Sequence, residues 1–408
     1  MIAPSFYPAY GAECLVNAKL VLAMLNKGWE VKVISHINKE YSFFDASAGS
    51  PWRRLDSIAV PIKSVESRDF RAYLQKLLVF FKTRHITNGM LWVEKCMDVA
   101  EHLLNEQHYD VIISRAIPEY SHLAAMYLSK KFNVPWIANW NDPVPNAMFL
   151  PPGGQGHEAK IKYYYQHFLN AAFQRASWHT FPSDRLRRYM CSYIKGNIDK
   201  KSSVVPHIYL ESVLPETVSK GNVFTLCYTG GASTLTRNPE FIIRPVSELL
   251  SKGEIDDVRI VFVGDCQREV ADIAASYGIS DKVKSIFWTT YEESLAVVAS
   301  SDVSLLIEED CAEGIYLPSK LSDYVSVNNP ILAVGPKEGT VMDLLERFGG
   351  GVYSHCRDYE KTKKNIKALY DQWRHGNLRK LASIELTKYF SESVAMVEYQ
   401  TIFSKILH

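Results

Sequence analysis

The sequence predicts an α/β protein with two doubly wound, Rossmann-like domains that face a central cleft. First, its 408 residues exceed what one hydrophobic core usually supports. Second, short β-branched runs alternate with longer helical patterns, which is typical of parallel sheets with right-handed crossovers. Third, the alternation is interrupted once, at 206–222, where two prolines and a glycine replace the periodicity. Ligands of such sheets bind beyond the carboxyl ends of the strands, so we expect a binding site in the cleft.

Eight short apolar runs are strand candidates, and several are apolar throughout, as strands buried on both faces should be. They are 31–35, 111–114, 136–139, 178–181, 224–229, 259–264, 303–307 and 331–335. A helix is predicted over 13–28, where apolar residues recur at helical spacing and Gly28 ends the pattern. The run before Pro4 is short, which leaves open whether part of the first strand precedes Met1.

These patterns also predict where the domains begin and end. We predict an N-terminal domain at 1–207 that is completed by a C-terminal helix at 388–408. A linker at 208–222 leads to a C-terminal domain at 223–387.

The composition is that of an ordinary soluble protein, with 47% apolar and 22% charged residues. A net charge of +1 gives no sign of a nucleic-acid partner. Residues 1–205 nevertheless carry +8 and the remainder −7, which indicates either different partners for the two halves or chance scatter. The seven cysteines include no C-x-x-C pair and fit a reducing cytosol. Neither a signal peptide nor a spanning segment is recognisable, so we expect a cytoplasmic protein, at most peripheral to the inner face of the cell membrane.

Three turns of the second half are candidates for ligand contact. The first follows the strand 224–229, where Gly230 and Gly231 would let backbone N–H groups approach a phosphate and Arg237 would supply a planar cation. The second places Gly264 and Asp265 after a buried strand, and the third places Thr289 at a helix start, capped by Thr289 or Thr290. Each turn is also compatible with an ordinary strand–helix loop.

A fourth turn carries the sharper signal, in the stretch GIYLPSKLSDY at 314–324. Pro318 is well placed as the first helical residue, so the free N–H groups of Ser319, Lys320 and Leu321 would form an anion site. Lys320 adds a charge, and Asp323 lies one turn further on the same face. A diphosphate joined to a ribose matches this order of cation and hydrogen-bond acceptor. The alternative is a surface ion pair worth a few tenths of a kcal/mol.

In this order, the four turns resemble the C-terminal domain of the GT-B glycosyltransferases, in particular the retaining family four. The stretch PSKLSDYVSVNNPILAVG is similar to the P-x-K-L-x-E-Y motif of that family and its following strand. Looser matches are FYPAYGAE with KGWEVKVIS at the start, and YDVIISRAIPEYSHLAA with PWIANWNDPVPN further on. The likeness covers nearly the whole chain and implies a GT-B architecture. It also implies that the N-terminal domain binds the acceptor and that the C-terminal domain binds the nucleotide-sugar donor.

The resemblance implies a role for each matching position. Arg237 and Lys320 would hold the donor diphosphate, and Asp323 the ribose. Asn141 and Asp142 would face the donor sugar, where many relatives have His-Asp. The nucleotide pocket would be lined by further loop residues, which are Gly11, Gly230, Gly231, Gly264, Asp265, Thr289, Glu313, Leu317, Pro318 and Ser319.

Two departures from the family pattern bear on these roles. Relatives commonly carry a basic residue where this chain has Gly231, so Arg237 and Lys320 would supply the phosphate charge. Relatives also have two glutamates eight apart; Asp323 matches the second, but Ile315 stands at the first, with Glu313 two residues before it.

The resemblance implies transfer of a hexosyl or N-acetylhexosaminyl group, with retention of configuration and without an obligatory metal or cofactor. The donor would be a UDP- or GDP-linked sugar, and the acceptor a glycan or a polyprenyl-diphosphate-linked sugar of surface polysaccharide biosynthesis. Asp142, Asn141 and His122 are candidates for catalytic contacts in the cleft, although His122 is equally compatible with a helix interior. Segments 68–85 and 161–175 mix basic and aromatic residues, which fits either an anionic bilayer surface or helices that cover a core.

Two other readings of the same fold remain open. A nucleotide-sugar 2-epimerase would need acidic and histidine residues in the cleft, and the sequence does not identify such a set. A non-catalytic protein that binds a nucleotide sugar is compatible with the missing glutamate and with Gly231. The base, sugar, acceptor, catalytic base and oligomeric state are not determined by the sequence.

Overall fold

The computed structural model describes residues 1–37, 43–45, 47–63, 67, 69–196, 198–215, 220–287 and 289–407. The strands of the first sheet are β1 (Val33–His36), β2 (Ala59–Ile62), β3 (Ile112–Ala116), β4 (Trp136–Trp140), β5 (Trp178–Phe181) and β6 (Ser202–Val204). The strands of the second sheet are β7 (Phe224–Thr229), β8 (Val258–Val263), β9 (Val283–Ile286), β10 (Val303–Ile307), β11 (Ile331–Gly335) and β12 (Gly351–His355).

Helices connect these strands and cover both sheets. In the first half they are α1 (Ala12–Asn26), α2 (Phe70–Thr83), α3 (Met90–Glu106), α4 (Tyr120–Phe132), α5 (Tyr163–Arg175) and α6 (Asp184–Tyr193). In the second half they are α7 (Glu240–Ser251), α8 (Gln267–Ser276), α9 (Tyr291–Ser300), α10 (Lys320–Ser326), α11 (Thr340–Phe348), α12 (Tyr359–Arg374), α13 (Ile384–Tyr389) and α14 (Glu392–Ile406).

Every strand pair of the two sheets is parallel, as alternating strands and helices predict. The second sheet has the order β12-β11-β10-β7-β8-β9, so the connections reverse direction between β7 and β10. In the first sheet, Ile2 forms bridges to Ile34 and Ser114 and thereby joins the pair β1-β2 to the run β3-β4-β5-β6. Both sheets therefore have a topological switch point, where ligands of doubly wound folds bind.

All eight strands expected from the apolar runs are present, with ends shifted by at most two residues. The sequence missed β2, β6, β9 and β12, which are the outermost strands of the two sheets among the described residues. They share one physical feature: most of their side chains are only half buried or exposed, so an apolar run is not required. In β2 a proline adds to this, because an edge position tolerates the missing N–H donor.

The C-terminal helix α14 returns to the first sheet. Its buried residues Ala395, Met396 and Tyr399 belong to the same apolar cluster as Val21 of α1. This cluster also takes in Tyr291 of α9, so one core joins elements of both sheets. The predicted boundaries at 207/208 and 387/388 stay predictions, and part of the predicted linker, 216–219, lies outside the described residues. No helix built from the described residues is long and apolar enough to cross a bilayer.

Candidate functional site

A cavity of about 560 Å³ lies between the two sheets, at the carboxyl ends of their strands. Its walls come from both sides of the cleft. Of the residues predicted from sequence, the cavity is lined by Gly11, Asn141, Asp142, Gly230, Gly231, Arg237, Leu317, Pro318, Ser319, Lys320 and Asp323. The fold thus brings together residues that are up to 312 positions apart, because parallel strands present their carboxyl ends on one side. Their roles toward a ligand stay predictions.

Gly230, which lines the cavity, lies in close approach to Gly264. Gly230 has φ +106° and its N–H donates to the Val263 carbonyl at 2.7 Å. Gly264 has φ +133°, and a Cβ there would lie 2.6 Å from the Gly230 carbonyl oxygen. Both positions therefore require glycine. Gly264 does not line the cavity, so its glycine is explained by contact with the neighbouring loop and not by ligand approach.

Lys320 reaches from the start of α10 back to the end of β7. Its ammonium donates to the Thr229 carbonyl and lies 3.8 Å from the centroid of the Tyr228 ring. Burial lowers the pKa of Lys320 well below its usual value, and the nearby Arg237 lowers it further. Arg237 is exposed at the cavity wall, and no hydrogen bond or ion pair links it to the described residues. Lys320 and Arg237 place two basic groups side by side, and the charge of Arg237 also opposes the rise that burial causes in the pKa values of Asp142 and Glu308. A bound anion would stabilise two neighbouring basic groups of this kind.

The helix start at this turn differs from the sequence prediction. The helix begins at Lys320, two residues after Pro318, and has only seven residues. The N–H of Leu321 donates to the Pro318 carbonyl at 3.0 Å, so it is not free for a ligand. The expected group of three free N–H donors is therefore wrong for Leu321. The cause is a tight turn that forms ahead of the helix and uses that donor internally.

Asp323 lies at the cavity but already has two donors. The Lys19 ammonium of α1 forms an ion pair with its Oδ1 atom, and the Tyr291 hydroxyl donates to the same oxygen at 2.7 Å. Lys19 is 2% exposed, so a full charge of the first sheet's helix is buried against the second. Sequence patterns did not indicate this burial, because a lysine in an apolar helix pattern usually lies on the surface.

Two carboxyl groups face the cavity from the first sheet. Asp142 follows β4, and burial together with the nearby Glu13 raises its pKa to about 8. Burial likewise raises the pKa of Glu13 to about 7, while Arg115 opposes that rise. The Asn141 amide donates to Glu13 at 2.7 Å and orients it. Sequence reasoning missed Glu13, although its place two residues after Gly11, at the start of a helix facing the cleft, was a usable signal.

The acidic loop after β10 contributes different residues from those expected. Glu308 and Glu309 line the cavity, and burial raises the pKa of Glu308 to about 8. Glu313, which was predicted to contact the donor, lies outside the lining and pairs with Arg185 of α6 at 2.5 Å. Ile315 is fully buried, which accounts for an apolar residue there. Residues directly after a strand reach the cleft because the strand itself points toward it.

Two histidines, His122 and His207, differ in their position relative to the cavity. His122 is fully buried within the first domain, where Ser114 bonds its Nδ1 atom at 2.7 Å and Trp140 packs on its ring at 4.1 Å. It does not line the cavity, so we correct its placement in the cleft to a core position. His207 does line the cavity, and burial lowers its pKa to about 3. Sequence reasoning missed His207 because it lies in the stretch 206–222, where the alternation of strands and helices is interrupted.

Two further predicted residues lie away from the cavity lining. Asp265 is exposed on its loop, and Thr289 bonds the Ser294 hydroxyl at 2.9 Å. The helix start at this turn is capped by Thr290, which forms a reciprocal capping box with Glu293. Of the two alternatives for this cap, the structure therefore has the second.

Contacts across the cleft hold the cavity closed on several sides. Arg185 of α6 binds Asp343 of α11 at 2.6 Å in addition to Glu313. The Ser183 hydroxyl donates to the Ile315 carbonyl at 2.7 Å, and the N–H of Tyr291 donates to the Phe43 carbonyl at 2.9 Å. These bonds join loops of the two sheets around the cavity.

No protein-family model and no curated protein sequence matches the chain. Solved structures with a similar fold do match over nearly the full length. HepE of Anabaena, in complex with UDP, has a TM-score of 0.68 and 13% identity, with 99% of this chain and 98% of that chain covered. Sucrose-phosphate synthase of Thermosynechococcus elongatus has a TM-score of 0.66 and 11% identity, with 99% and 97% covered. WaaG, a glycosyltransferase involved in lipopolysaccharide biosynthesis, has a TM-score of 0.57 and 12% identity, with 97% and 98% covered.

These structural similarities show the fold of the chain. The chain has the GT-B fold, two Rossmann-like domains that face a cleft, which confirms the predicted fold class and the resemblance at the level of fold. At 11–13% identity the likeness carries no residue roles, since one fold hosts different functions.

Proposed function

We propose that the chain is a glycosyltransferase that binds a nucleotide-diphosphate sugar in the cavity and moves the sugar to a glycan or lipid-linked glycan. In this proposal Arg237 and Lys320 bind the diphosphate, Asp323 the ribose, and Asp142 the donor sugar. The bound group is a UDP- or GDP-linked hexose or N-acetylhexosamine, and the product belongs to surface polysaccharide.

One observation carries the proposal. Arg237 and Lys320 come from the turns on either side of the switch point of the second sheet, and both line the same cavity beside Gly230 and Gly231. Cations and closely approachable backbone are the means by which proteins bind a diphosphate. HepE, which has the same fold, binds UDP, and this supports a nucleotide ligand here.

The chemistry follows from where negative charge develops. As the bond to the donor sugar breaks, the leaving diphosphate gains charge, and two fixed cations stabilise it in a site partly shielded from water. The acceptor hydroxyl would attack on the face of the leaving group, with retention and without a metal ion. NMR of the product anomer tests retention, and undiminished turnover in EDTA tests metal independence.

The experiment that tests donor binding is calorimetric titration with UDP, GDP and their sugars. We expect Arg237→Gln and Lys320→Met each to weaken binding about 10–100-fold, since charge-assisted hydrogen bonds are worth about 1.5–3 kcal/mol. Arg268→Gln is the matched control, because the Arg268 side chain is 93% exposed on α8 and away from the cavity. Equal affinity of wild type and Lys320→Met would refute the phosphate role, and binding without hydrolysis or transfer would indicate a non-catalytic binding protein.

The acceptor side of the proposal rests on α2, whose apolar face points outward. Only Ala72, Val79 and Thr83 of this helix are buried. Its exposed large side chains, at helical spacing, are Phe70 (76%), Tyr73 (59%), Leu74 (44%), Leu78 (56%) and Phe81 (59%). A helix that covers a core would present the opposite pattern. Exposed apolar patches of this kind mark interaction sites.

Basic residues accompany this face and indicate its partner. Arg71, Lys82 and Arg84 are exposed on α2 or at its end, whereas Arg68 lies outside the described residues. The first turn of α5 adds Tyr163, which is 87% exposed, and α5 adjoins the end of α2 through a contact of His167 with His85. Aromatic side chains flanked by cations fit an anionic bilayer surface, where a lipid-linked acceptor would be held.

Flotation with vesicles of phosphatidylglycerol and phosphatidylcholine tests this surface. We expect binding to anionic vesicles that the double variant Phe70→Ser/Phe81→Ser loses, while Val397→Ser, an exposed apolar residue on α14, leaves it unchanged. Equal flotation of both variants, or no dependence on anionic lipid, would refute the membrane surface.

A second candidate function is favoured by the cavity's acidic and histidine residues. The sequence identified no set of acidic and histidine residues such as a nucleotide-sugar 2-epimerase would need, but residues of these types do line the cavity: Glu13, Asp142, Glu308, Glu309 and His207. Groups of this kind exchange protons with a sugar carbon. Incubation of UDP-N-acetylglucosamine in D₂O distinguishes the two functions, because an epimerase introduces deuterium at C2 without any acceptor, whereas a transferase requires one.

A further inference from the structure

The ion pair between Lys19 and Asp323 connects the two domains at the cavity itself. Lys19 lies on α1, which packs in the core of the first domain, and Asp323 lies on α10 of the second. Their side chains are 2% and 13% exposed, so the pair is almost removed from water. The Lys19 ammonium also lies 4.8 Å from the centroid of the Tyr291 ring, which leaves it few other arrangements.

The two oxygens of Asp323 are not equivalent. Both the Lys19 ammonium and the Tyr291 hydroxyl donate to Oδ1. No hydrogen bond from any described residue reaches Oδ2, and Asp323 lines the cavity. A carboxylate that is clamped through one oxygen presents the other in a single orientation. Such preorganisation increases affinity because less side-chain freedom is lost on binding.

We infer that Lys19 is a positioning residue that holds Asp323 so that its free oxygen accepts a ribose hydroxyl of the bound nucleotide. The inference deepens the proposed function and rests on it. Lys19 contacts Asp323 and not the nucleotide. Since Lys19 belongs to the other domain, the clamp exists only while the cleft is closed. Ribose binding and closure therefore favour each other, as linkage requires of coupled equilibria.

The test compares UDP with its 2′-deoxy and 3′-deoxy analogues by calorimetric titration. We expect wild type to bind UDP about tenfold or more tightly than the analogue that lacks the contacted hydroxyl. In Lys19→Met we expect that preference to fall to less than about threefold, because UDP loses affinity while the deoxy analogue does not. Lys19→Arg should keep most of the preference, since it restores a cation. Lys27→Met, an exposed lysine at the end of the same helix, is the matched control and should behave as wild type.

A merely structural role would weaken UDP and the deoxy analogues equally, and that result, or an unchanged preference in Lys19→Met, would overturn the inference. Should Lys19→Met fail to fold, Tyr291→Phe removes the other donor to Oδ1 without stranding a buried charge, and the same comparison decides. If wild type binds UDP but shows no preference for the ribose hydroxyls, the inference fails and the proposed function stands. If wild type binds neither UDP nor GDP, the proposed function itself fails.

Discussion

Replacing Gly264 with alanine should destabilise the protein more than the same change at glycines that have a positive φ but open space around a Cβ. A Cβ at Gly264 would lie 2.6 Å from the carbonyl oxygen and 2.8 Å from the carbonyl carbon of Gly230, and φ is +133°. The backbone angle costs about 1–3 kcal/mol for a residue with a side chain. The clash with backbone atoms, which cannot rotate away, adds about 1–3 kcal/mol. We therefore expect a loss of about 2–6 kcal/mol.

Thermal unfolding measures this loss, at about 2–4 °C per kcal/mol for a domain of this size. Two controls separate the angle from the clash. Gly11 has φ +134° with no atom within 4 Å of a Cβ, and Gly278 of the second domain has φ +69° with similarly open space. Both alanine variants should lose about 1–3 kcal/mol from the angle alone. The reasoning is refuted if Gly264→Ala is no less stable than these controls.

Three further predictions concern charge and capping. The pKa of Asp142 is raised by burial to about 8, so its carboxyl favours the folded state below pH 4 and loses that contribution as pH rises through 8. The free energy of unfolding of Asp142→Asn relative to wild type should therefore increase by at least about 1 kcal/mol from pH 5 to pH 8.5, measured by urea titration. An equal difference at the two pH values would contradict this. The pKa of Lys320 is lowered, so a bound diphosphate should raise it and cause proton uptake by Lys320. Calorimetric titration with UDP in buffers of different ionisation enthalpy should detect this uptake. Titration with uridine, or of Lys320→Met with UDP, should show none. Thr290→Ala should cost about 1 kcal/mol through loss of the capping box, and thermal unfolding without a decrease would speak against it.

The central strands could be read from the sequence because their environment demands one kind of residue. Strands buried on both faces, such as β10 with VSLLI, must be apolar throughout, and the sequence shows this directly. Edge strands such as β6, with SSV, are packed less tightly and need no continuous apolar run, so the sequence does not reveal them. The outward face of α2 could not be assigned either, because amphipathic spacing states that two faces differ but not which one meets the core.

The site divides in a similar way. Local rules placed Arg237 and Lys320 at the cavity, because the carboxyl ends of parallel strands converge whatever the details of packing, whereas Asp142 was placed there by the family resemblance. Ion pairs between residues distant in sequence could not be predicted. The residues around Asp323 do not indicate its pairing with Lys19, 304 positions earlier, and those around Glu313 do not indicate its pairing with Arg185.

By itself, then, the sequence determined the two-domain α/β architecture, its central strands and the turns that meet at the cleft, since these follow from periodicity and from glycine, proline and capping residues along the chain. Only the tertiary structure decided which carboxyl groups face the cavity, which are paired across it, and that Lys19 is buried against Asp323. Those outcomes depend on how two sheets and their helices are oriented in space, and burial and pairing of a charge are properties of that arrangement and not of any local segment.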